Sequence, residues 1–341
     1  MNTDDTVLAI DDLQTYFHTE EGEVRAVDGV SLRLKRGTVL AIVGESGCGK
    51  SVTAYSILRL IQKPGVIKGG SVRFTPRQGE PIDITDLPEK SDTLFDVRGG
   101  RISMIFQEPM TALSPVHTIG NQICEAILLH QDVTRAEARG RAIEILGQVG
   151  IPGPQDRMDQ YPFEMSGGMR QRVVIAMALV CHPEILIADE PTTALDVTIQ
   201  AQILQLIKSL QRDRGASVLF ITHDLGVVAQ VADEVAVMYL GRIVEQAPVR
   251  TALKQPLHPY TASLLESIPR VESKGDRLAV IEGSVPSPTD IPSGCPFHPR
   301  CAHASAGRCD VGPPPPLRQF SGDHQSACIR IEEIHRGVTE V

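Results

Sequence analysis

The 341-residue sequence contains no tryptophan, and aromatic residues make up only 4% of it. A core must therefore consist mainly of Val, Ile, Leu, Ala and Met side chains. Long apolar runs are also missing, since the strongest one near the middle of the chain, residues 173–180, is far shorter than the ~20 residues needed to cross a bilayer. The first ten residues carry acids where a secretory signal has Lys or Arg. These absences predict a soluble or peripheral protein, and other chains would have to supply any membrane it serves.

An excess of positive charge is absent too, because the formal net charge is −9. A surface that tracks nucleic-acid phosphates needs clustered Lys and Arg, so we expect no nucleic-acid partner. With 42% hydrophobic and 22% charged residues, the chain has ample material for a core. Its length predicts two or three folding units.

Strands and helices are expected to alternate along most of the chain. Apolar runs predict strands at 7–10, 29–34, 39–43, 71–74, 102–106, 184–188 and 217–222, and a hairpin from 235–239 and 241–245. Helical patterns cover about 108–180, with a break at 150–165, and 197–212. This alternation predicts a mainly parallel sheet with an appended helical lobe. Nine prolines between Pro286 and Pro316 exclude a regular helix or central strand there.

A glycine-rich segment directly follows the apolar run at 39–43 and precedes a helical stretch that reaches about residue 61. Lys50 is predicted to reach the β- and γ-phosphates of a nucleotide, and the Ser51 hydroxyl to bind Mg²⁺. The glycines let backbone amides point at phosphate oxygens. We interpret Cys48 as a small filler residue. The segment matches G-x-x-x-x-G-K-[ST] with Gly44, Glu45, Ser46, Gly47, Cys48, Gly49, Lys50 and Ser51.

Two acids follow the apolar run at 184–188, at the sheet edge where open parallel sheets bind ligands. Asp189 suits the Mg²⁺ shell, and Glu190 is placed to polarise the water that attacks the γ-phosphate. His223 ends the next predicted strand and is expected to contact the γ-phosphate. Together these residues predict a P-loop NTPase.

A Ser-Gly-Gly turn narrows the class. Ser166, Gly167 and Gly168 precede a helical run, and such a turn can bind an anion through its amides and hydroxyl. The segment closely resembles the signature of ABC ATPases, L-S-G-G-Q, although Met165 and Met169 replace its first and last residues. The sequence is therefore similar to ABC nucleotide-binding domains over about residues 7–245.

The resemblance implies an α/β fold of the P-loop NTPase, ABC type, with a RecA-like parallel sheet core, an antiparallel β subdomain and a helical subdomain at about 108–180. It implies an ATPase domain at 5–250 and a cysteine-containing extension at 251–341. It also implies that Phe17 stacks on adenine, that Val52 joins residues 44–51 in binding ATP, that Gln107 touches Mg²⁺, and that Asp196 belongs to the loop called the D-loop.

Finer features resemble the ATP-binding subunits of dipeptide and oligopeptide importers, a branch that also handles nickel and opines. They lie at 26–31, 107–111, 189–196, 256–261 and 264–269. Phe163 departs from this branch, which often has His there. The resemblance implies two transmembrane permeases, an extracytoplasmic solute-binding protein and a second homologous ATPase chain, with a heterodimer expected at the cytoplasmic face of the membrane. Each ATP would lie between one chain's phosphate loop and the other's Ser-Gly-Gly turn.

Four cysteines near the end, Cys295, Cys301, Cys309 and Cys328, suggest a metal site in a chain without stable disulfides. Their spacing permits zinc, an iron–sulfur cluster or no metal, with His298 and His303 as nearby alternative ligands. The stretch from Cys295 to Cys301 resembles a segment that carries a [4Fe–4S] cluster in some members of the branch, which favours that cluster here.

Two alternatives stay open. A non-transport ABC ATPase could act on DNA or ribosomes, but DNA-repair types insert long coiled coils between the two motifs, which here are 122 residues apart. Translation types usually carry two cassettes in one chain. A nucleotide-dependent metal or redox sensor is the other alternative, and the intact Glu190 and His223 argue against it.

Overall fold

The computed structural model describes residues 5–107, 112–192, 196–268 and 281–335. The chain divides into two compact units, and each is assembled from three stretches. The first comprises Met1–Leu8, Leu34–Val39 and Arg73–Phe220, and the second comprises Ala9–Arg33, Leu40–Val72 and Ile221–Val341. The predicted boundary between an ATPase domain at 5–250 and an extension at 251–341 is a different division from these compact units. It stays a prediction.

The strands of the described ranges are β1 (Thr6–Thr19), β2 (Gly22–Lys35), β3 (Val39–Val43), β4 (Gly65–Phe74), β5 (Ile82–Asp83), β6 (Ile102–Ile105), β7 (Ile185–Asp189), β8 (Ser217–Thr222), β9 (Glu234–Tyr239), β10 (Arg242–Pro248), β11 (Arg318–Ser321) and β12 (His324–Ser326). The helices are α1 (Lys50–Ile57), α2 (Asp92–Val97), α3 (Ile119–His130), α4 (Arg135–Gln148), α5 (Pro154–Arg157), α6 (Gly167–Leu179), α7 (Val197–Arg214), α8 (Leu225–Val231), α9 (Val249–Lys254), α10 (Pro259–Glu266) and α11 (Ile331–Ile334). Single 3₁₀ turns lie at Pro162–Glu164 and His298–Arg300.

In the first unit, β6 and β7 run parallel, with Ile102 opposite Ile185 and Ile105 opposite Ala188. β8 lies on the other side of β7. Every residue of these three strands is buried, as a parallel sheet covered on both faces requires. The sequence-based prediction of a parallel sheet is confirmed here. The end of β4 pairs antiparallel with β5.

The helical part of the first unit consists of α3, α4 and α6, which pack against one another, and α6 also packs on β6. The start of α4 is fixed by a capping box. Thr134 Oγ1 accepts a hydrogen bond from the Glu137 amide (3.3 Å), and Glu137 Oε2 accepts one from the Thr134 amide (2.7 Å). The predicted break at 150–165 contains only the short α5 and one 3₁₀ turn. Residues 108–111, with which the predicted helical lobe begins, lie outside the described residues.

In the second unit, β3 runs parallel to β9, and β10 returns antiparallel to β9 as the predicted hairpin. β12 then pairs with β10, and β11 with β12. These last two strands follow the proline-rich stretch and were not predicted. β1 lies between β2 and β4 and has 14 residues, far more than the four predicted at 7–10.

The core of the second unit includes residues from far apart in the chain. Val43 at the end of β3 and Val237 of β9 are buried in the same cluster as Tyr239, Tyr260 and Phe297. Tyr260 and Phe297 belong to the predicted C-terminal extension. The extension therefore contributes large side chains to the core from which the phosphate loop emerges.

Candidate nucleotide site

The glycine-rich segment forms a tight loop between β3 and α1, in the strand–loop–helix arrangement that a phosphate loop requires. The loop passes close to neighbouring backbone. A Cβ atom on Gly44 would lie 2.2 Å from the Met238 carbonyl oxygen, and one on Gly49 would lie 2.0 Å from that of Ala26. Only glycine fits at these two positions.

Lys50 is the first residue of α1 and is buried, with 5% of its surface exposed. Its ammonium donates hydrogen bonds to the Gly44 and Glu45 carbonyl oxygens, at 2.8 Å and 3.0 Å. The Lys50 ammonium, which the sequence predicts to bind the phosphates, is therefore held inside the loop. Cys48 is 3% exposed, and burial raises the pKa of its thiol. A buried protonated thiol supports its interpretation as a filler residue.

Glu45 is held by two residues that the sequence analysis missed. Arg300 donates to both of its carboxylate oxygens, and the Tyr260 hydroxyl accepts a hydrogen bond from its amide. Arg300 is 255 positions away along the chain, so no local pattern could have indicated the pair. The only available signal was that both residues lie in the segments that resemble the importer branch.

Phe17 is half-buried on β1 and packs over Gly65, where a Cβ atom would lie 2.5 Å from its ring. The neighbouring Tyr16 has a different environment. Its hydroxyl donates to Asp28 at 2.7 Å, and burial and this hydrogen bond raise the pKa of Tyr16 to about 12. Of the two rings, Phe17 has no polar group, whereas the Tyr16 ring is tied to Asp28 by its hydroxyl. His223 follows β8 and is exposed.

In the first unit, Gln107 and Glu190 follow the adjacent parallel strands β6 and β7. Their side chains meet at the edge of the sheet where these two strands end. Gln107 Nε2 donates to Glu190 Oε2 at 3.3 Å. Asp189, the last residue of β7, is fully buried. Glu190 has a φ of 47°, in the left-handed region that non-glycine residues rarely adopt. Such backbone costs ~1–3 kcal/mol and is concentrated at functional sites.

The Ser-Gly-Gly turn is the start of α6. Ser166 is its N-cap, and its hydroxyl accepts a hydrogen bond from the Met169 amide at 3.4 Å. Ser166 and Gly167 are exposed, whereas Met165 is buried. Phe163 is 68% exposed and stacks on Tyr161. The predicted anion-binding turn is thus a regular helix N-terminus with an open surface.

Asp196 caps α7 by accepting hydrogen bonds from the amides of Thr198 and Ile199, both at 3.0 Å. Ala194 and Leu195 of the predicted D-loop lie outside the described residues, as do residues 108–111 of the Gln107 motif. The structure therefore places the candidate residues in two groups. The second unit contains Phe17, residues 44–52 and His223, and the first contains Gln107, Ser166, Gly167, Gly168, Asp189, Glu190 and Asp196.

The four late cysteines line one small cavity. They are free thiols, and burial raises the pKa of Cys295 to about 12 and that of Cys328 to about 11. Across the described residues, no three or more His, Cys, Asp or Glu side chains are grouped so that they could hold a metal ion. The predicted [4Fe–4S] cluster therefore gains no support from a metal-binding group. The lining includes Cys295, Cys301, Cys309, Cys328, His298 and His303.

Among the described residues, no helix has both the length and the apolar character needed to cross a bilayer.

Two features define the class of protein. They are the phosphate loop that follows β3 and the Gly-Gly start of α6 that Ser166 caps. The class is an ATP-hydrolysing cassette of the ABC type. The "ABC transporter" family model matches residues 27–193, and the model described as "Oligopeptide/dipeptide transporter, C-terminal region" matches 244–309. Among solved structures, a dimeric ATP-binding cassette in a post-hydrolysis state with ADP and Pi has a TM-score of 0.63 and 28% identity, covering 71% of this chain and 99% of that one.

Two curated relatives match nearly end to end. A probable peptide ABC transporter ATP-binding protein of Sinorhizobium fredii (strain NBRC 101917 / NGR234) is 52% identical over 332 residues, covering 97% of this chain and 96% of that protein. The oligopeptide transport ATP-binding protein AppD of Bacillus subtilis (strain 168) is 49% identical over 329 residues, covering 96% and 98%. The chain belongs to the ABC transporter family, among its oligopeptide and dipeptide transport ATP-binding proteins.

Proposed function

We propose that this chain hydrolyses ATP to ADP and phosphate and so powers the import of dipeptides, oligopeptides or related solutes through a membrane transporter. The observation that carries the proposal is that one chain contains both the phosphate loop and the ABC signature. The loop leads into helix α1, and the signature forms the capped start of helix α6, as their chemistry requires. The names of the relatives support peptides as the cargo class.

In this proposal Phe17 stacks on adenine, and the loop amides of residues 44–52 with Lys50 bind the phosphates. Ser51, Gln107 and Asp189 offer hydroxyl, amide and carboxylate oxygens, the donor set that Mg²⁺ prefers. When bound, the ion neutralises charge on the phosphates. Glu190 polarises the attacking water, and its hydrogen bond to Gln107 orients the carboxylate. His223 contacts the γ-phosphate.

Ser166, Gly167, Gly168 and Asp196 serve the nucleotide of a second, homologous ATPase subunit, with which we propose a heterodimer. Two permease subunits in the membrane and an extracytoplasmic solute-binding protein complete the transporter. The chain would then lie at the cytoplasmic face of the inner membrane as a peripheral subunit without a nucleic-acid partner. The Ser-Gly-Gly turn supports a shared site, because Ser166 and Gly167 are exposed at a helix N-terminus, where a ligand from outside the chain can bind.

We extend the proposal to the C-terminal cysteines as ligands of a [4Fe–4S] cluster. Four thiolates are the ligand number of such a cluster, and these four line one cavity. Iron and acid-labile sulfide analysis of anaerobically purified protein tests the idea. About four of each per chain would support it, whereas zinc or metal-free protein would contradict it.

The change that tests the proposed function is Glu190→Gln, measured as ATP turnover of the complete transporter. Because the amide cannot take the proton of the attacking water, we expect turnover to fall at least ~100-fold while ATP binding is retained. Asp159→Asn, which removes an exposed carboxylate elsewhere in the first unit, is the control. Unchanged turnover in Glu190→Gln would contradict the assignment of the base, and a wild-type chain that binds no ATP would contradict the proposed function.

A further inference from the structure

The side chain of Glu45, the second residue of the phosphate loop, is paired with a buried arginine side chain. Arg300 Nη1 lies 2.7 Å from Glu45 Oε2, and Nη2 lies 3.0 Å from Oε1. The Arg300 side chain is 4% exposed and that of Glu45 is 27% exposed. A bidentate pair of this kind is among the stronger hydrogen-bonded contacts in proteins and fixes geometry as well as charge.

The Glu45 backbone is held as well. The Tyr260 hydroxyl accepts a hydrogen bond from the Glu45 amide at 2.9 Å, and the Glu45 carbonyl oxygen accepts one from Lys50 Nζ at 3.0 Å. Contacts with the C-terminal segment thus fix the residue whose carbonyl oxygen holds the phosphate-binding lysine. A displacement of Glu45 would therefore also displace Lys50.

Arg300 and Tyr260 are presented by a rigid base. Arg300 ends the 3₁₀ turn His298–Arg300, and its Nε donates to the Glu282 carbonyl oxygen at 3.3 Å. Phe297, just before this turn, is buried with its ring centroid 5.2 Å from that of Tyr260 and 5.4 Å from that of Tyr239. The aromatic contact restricts the Tyr260 ring, and the hydrogen bond from Nε restricts the Arg300 guanidinium.

The pair between Arg300 and Glu45 also changes the charge of the phosphate loop. A phosphate loop binds anions through its amides, and an unpaired carboxylate within it would repel a nucleotide triphosphate. The paired guanidinium removes this repulsion. We propose that Arg300 and Tyr260 are positioning residues of the ATP site, which hold Glu45 so that the loop keeps its shape and its carboxylate is neutralised toward ATP. This inference rests on the proposed function, since it assigns how the same loop reaches its affinity.

The test is a double-mutant cycle on the full chain, with ATP affinity measured by displacement of a fluorescent ATP analogue. Arg300→Ala exposes the Glu45 carboxylate to the phosphates, so we expect the Kd for ATP to rise about ten-fold. Glu45→Gln is expected to change it less than about three-fold. The double variant should return to the affinity of Glu45→Gln, because the repelling charge is gone.

Steady-state kinetics of the complete transporter supplies a readout that general destabilisation would not move. Arg300→Ala should raise KM for ATP and leave kcat at saturating ATP unchanged, whereas a loss of folded protein lowers kcat alone. Arg33→Ala, which removes an exposed arginine–carboxylate pair with Asp11, is the matched control and should change neither.

Wild-type affinity in a folded Arg300→Ala chain would overturn the inference, and so would a double variant as weak as Arg300→Ala. Should Arg300→Ala fail to fold, Arg300→Lys and Tyr260→Phe replace it. The first keeps the charge but loses the bidentate geometry, and the second leaves the Glu45 amide without its acceptor. Wild-type affinity in both would overturn the inference. A wild-type chain without ATP affinity contradicts the proposed function instead, so the two failures are distinguishable.

Discussion

The phosphate loop and the Ser-Gly-Gly turn both combine glycines with a helix N-terminus, and they are built in different ways. Around the phosphate loop, neighbouring backbone approaches so closely that Gly44 and Gly49 have no room for a Cβ atom. At the Ser-Gly-Gly turn, apart from the chain neighbours and the backbone of α6 itself, none of the described residues places an atom within 4 Å of a Cβ built on Gly167 or Gly168. One turn is enclosed by its own unit, and the other is open.

The difference shows two ways of preparing an anion site. The enclosed loop is preorganised by its chain, with Lys50 buried and Glu45 paired. The open turn relies on one cap hydrogen bond, from the Met169 amide to Ser166. This contrast supports the proposal that the phosphate loop binds nucleotide by itself, whereas the Ser-Gly-Gly turn acts on a nucleotide carried by a second subunit.

Adding one methyl group to each turn tests the comparison most strongly. Gly49→Ala places a Cβ atom 2.0 Å from the Ala26 carbonyl oxygen and forces a side chain onto a φ of 106°. We expect a loss of at least ~3 kcal/mol in the free energy of unfolding and no measurable ATP binding. Urea unfolding and nucleotide titration measure both effects.

Gly168→Ala is the matched change at the open turn. Beyond its chain neighbours and the backbone of α6, its methyl group meets no described atom within 4 Å, and alanine favours a helix over glycine by ~1 kcal/mol. We expect unchanged or raised stability, with reduced turnover of the complete transporter. Comparable destabilisation by both substitutions would contradict the difference between the enclosed and open turns.

Features set by neighbouring residues were predictable from the sequence. The phosphate loop, the β9–β10 hairpin and the Ser166 cap each depend on a local pattern, and the structure confirms the local form of all three. The parallel pairing of β6 with β7 was predictable because both runs are almost wholly apolar.

Features set by distant contacts were not predictable. The pair between Arg300 and Glu45 joins residues 255 positions apart, and a single sequence carries no record of such a contact. β11 and β12 were missed because their four and three residues are too few to show alternation. The buried Glu245 could not be recognised either, since its acceptance of hydrogen bonds from Leu257 and His258 depends on the fold.

The free energy of unfolding should depend on pH through His258, which precedes the Tyr260 that holds the enclosed loop. This side chain is fully buried, and its Nδ1 accepts the hydrogen bond of the Tyr260 amide at 3.1 Å. Burial lowers the pKa of His258 from 6.5 to about 4, although the facing Glu245 carboxylate opposes the shift. The unfolded chain therefore binds a proton between these values that the folded chain does not. The folded chain is therefore most stable above the pKa that His258 has in the unfolded chain, and it loses stability as the pH is lowered.

We expect this single group to lower the free energy of unfolding by ~1–2 kcal/mol between pH 7.5 and pH 5. Urea unfolding at both pH values measures it. In His258→Asn, a side-chain oxygen can still cap α10 but cannot titrate, so the difference between the two pH values should shrink by that amount. An equal pH dependence in wild type and variant would show that other groups cause it.

Among the substitutions expected to lower stability, the smallest loss is expected at Ser166 of the open turn. Ser166→Ala removes the N-cap of α6 and should cost ~1 kcal/mol of unfolding free energy. The turn's proposed role lies with another subunit's nucleotide, so turnover of the complete transporter should fall by far more than this loss explains. Ser91→Ala is the matched control, because Ser91 caps α2 in the same unit through the Leu94 amide. It should lose similar stability and keep full turnover. If the two variants lost turnover equally, the serine at 166 would be a helix cap alone, and the open turn would have no part in ATP hydrolysis.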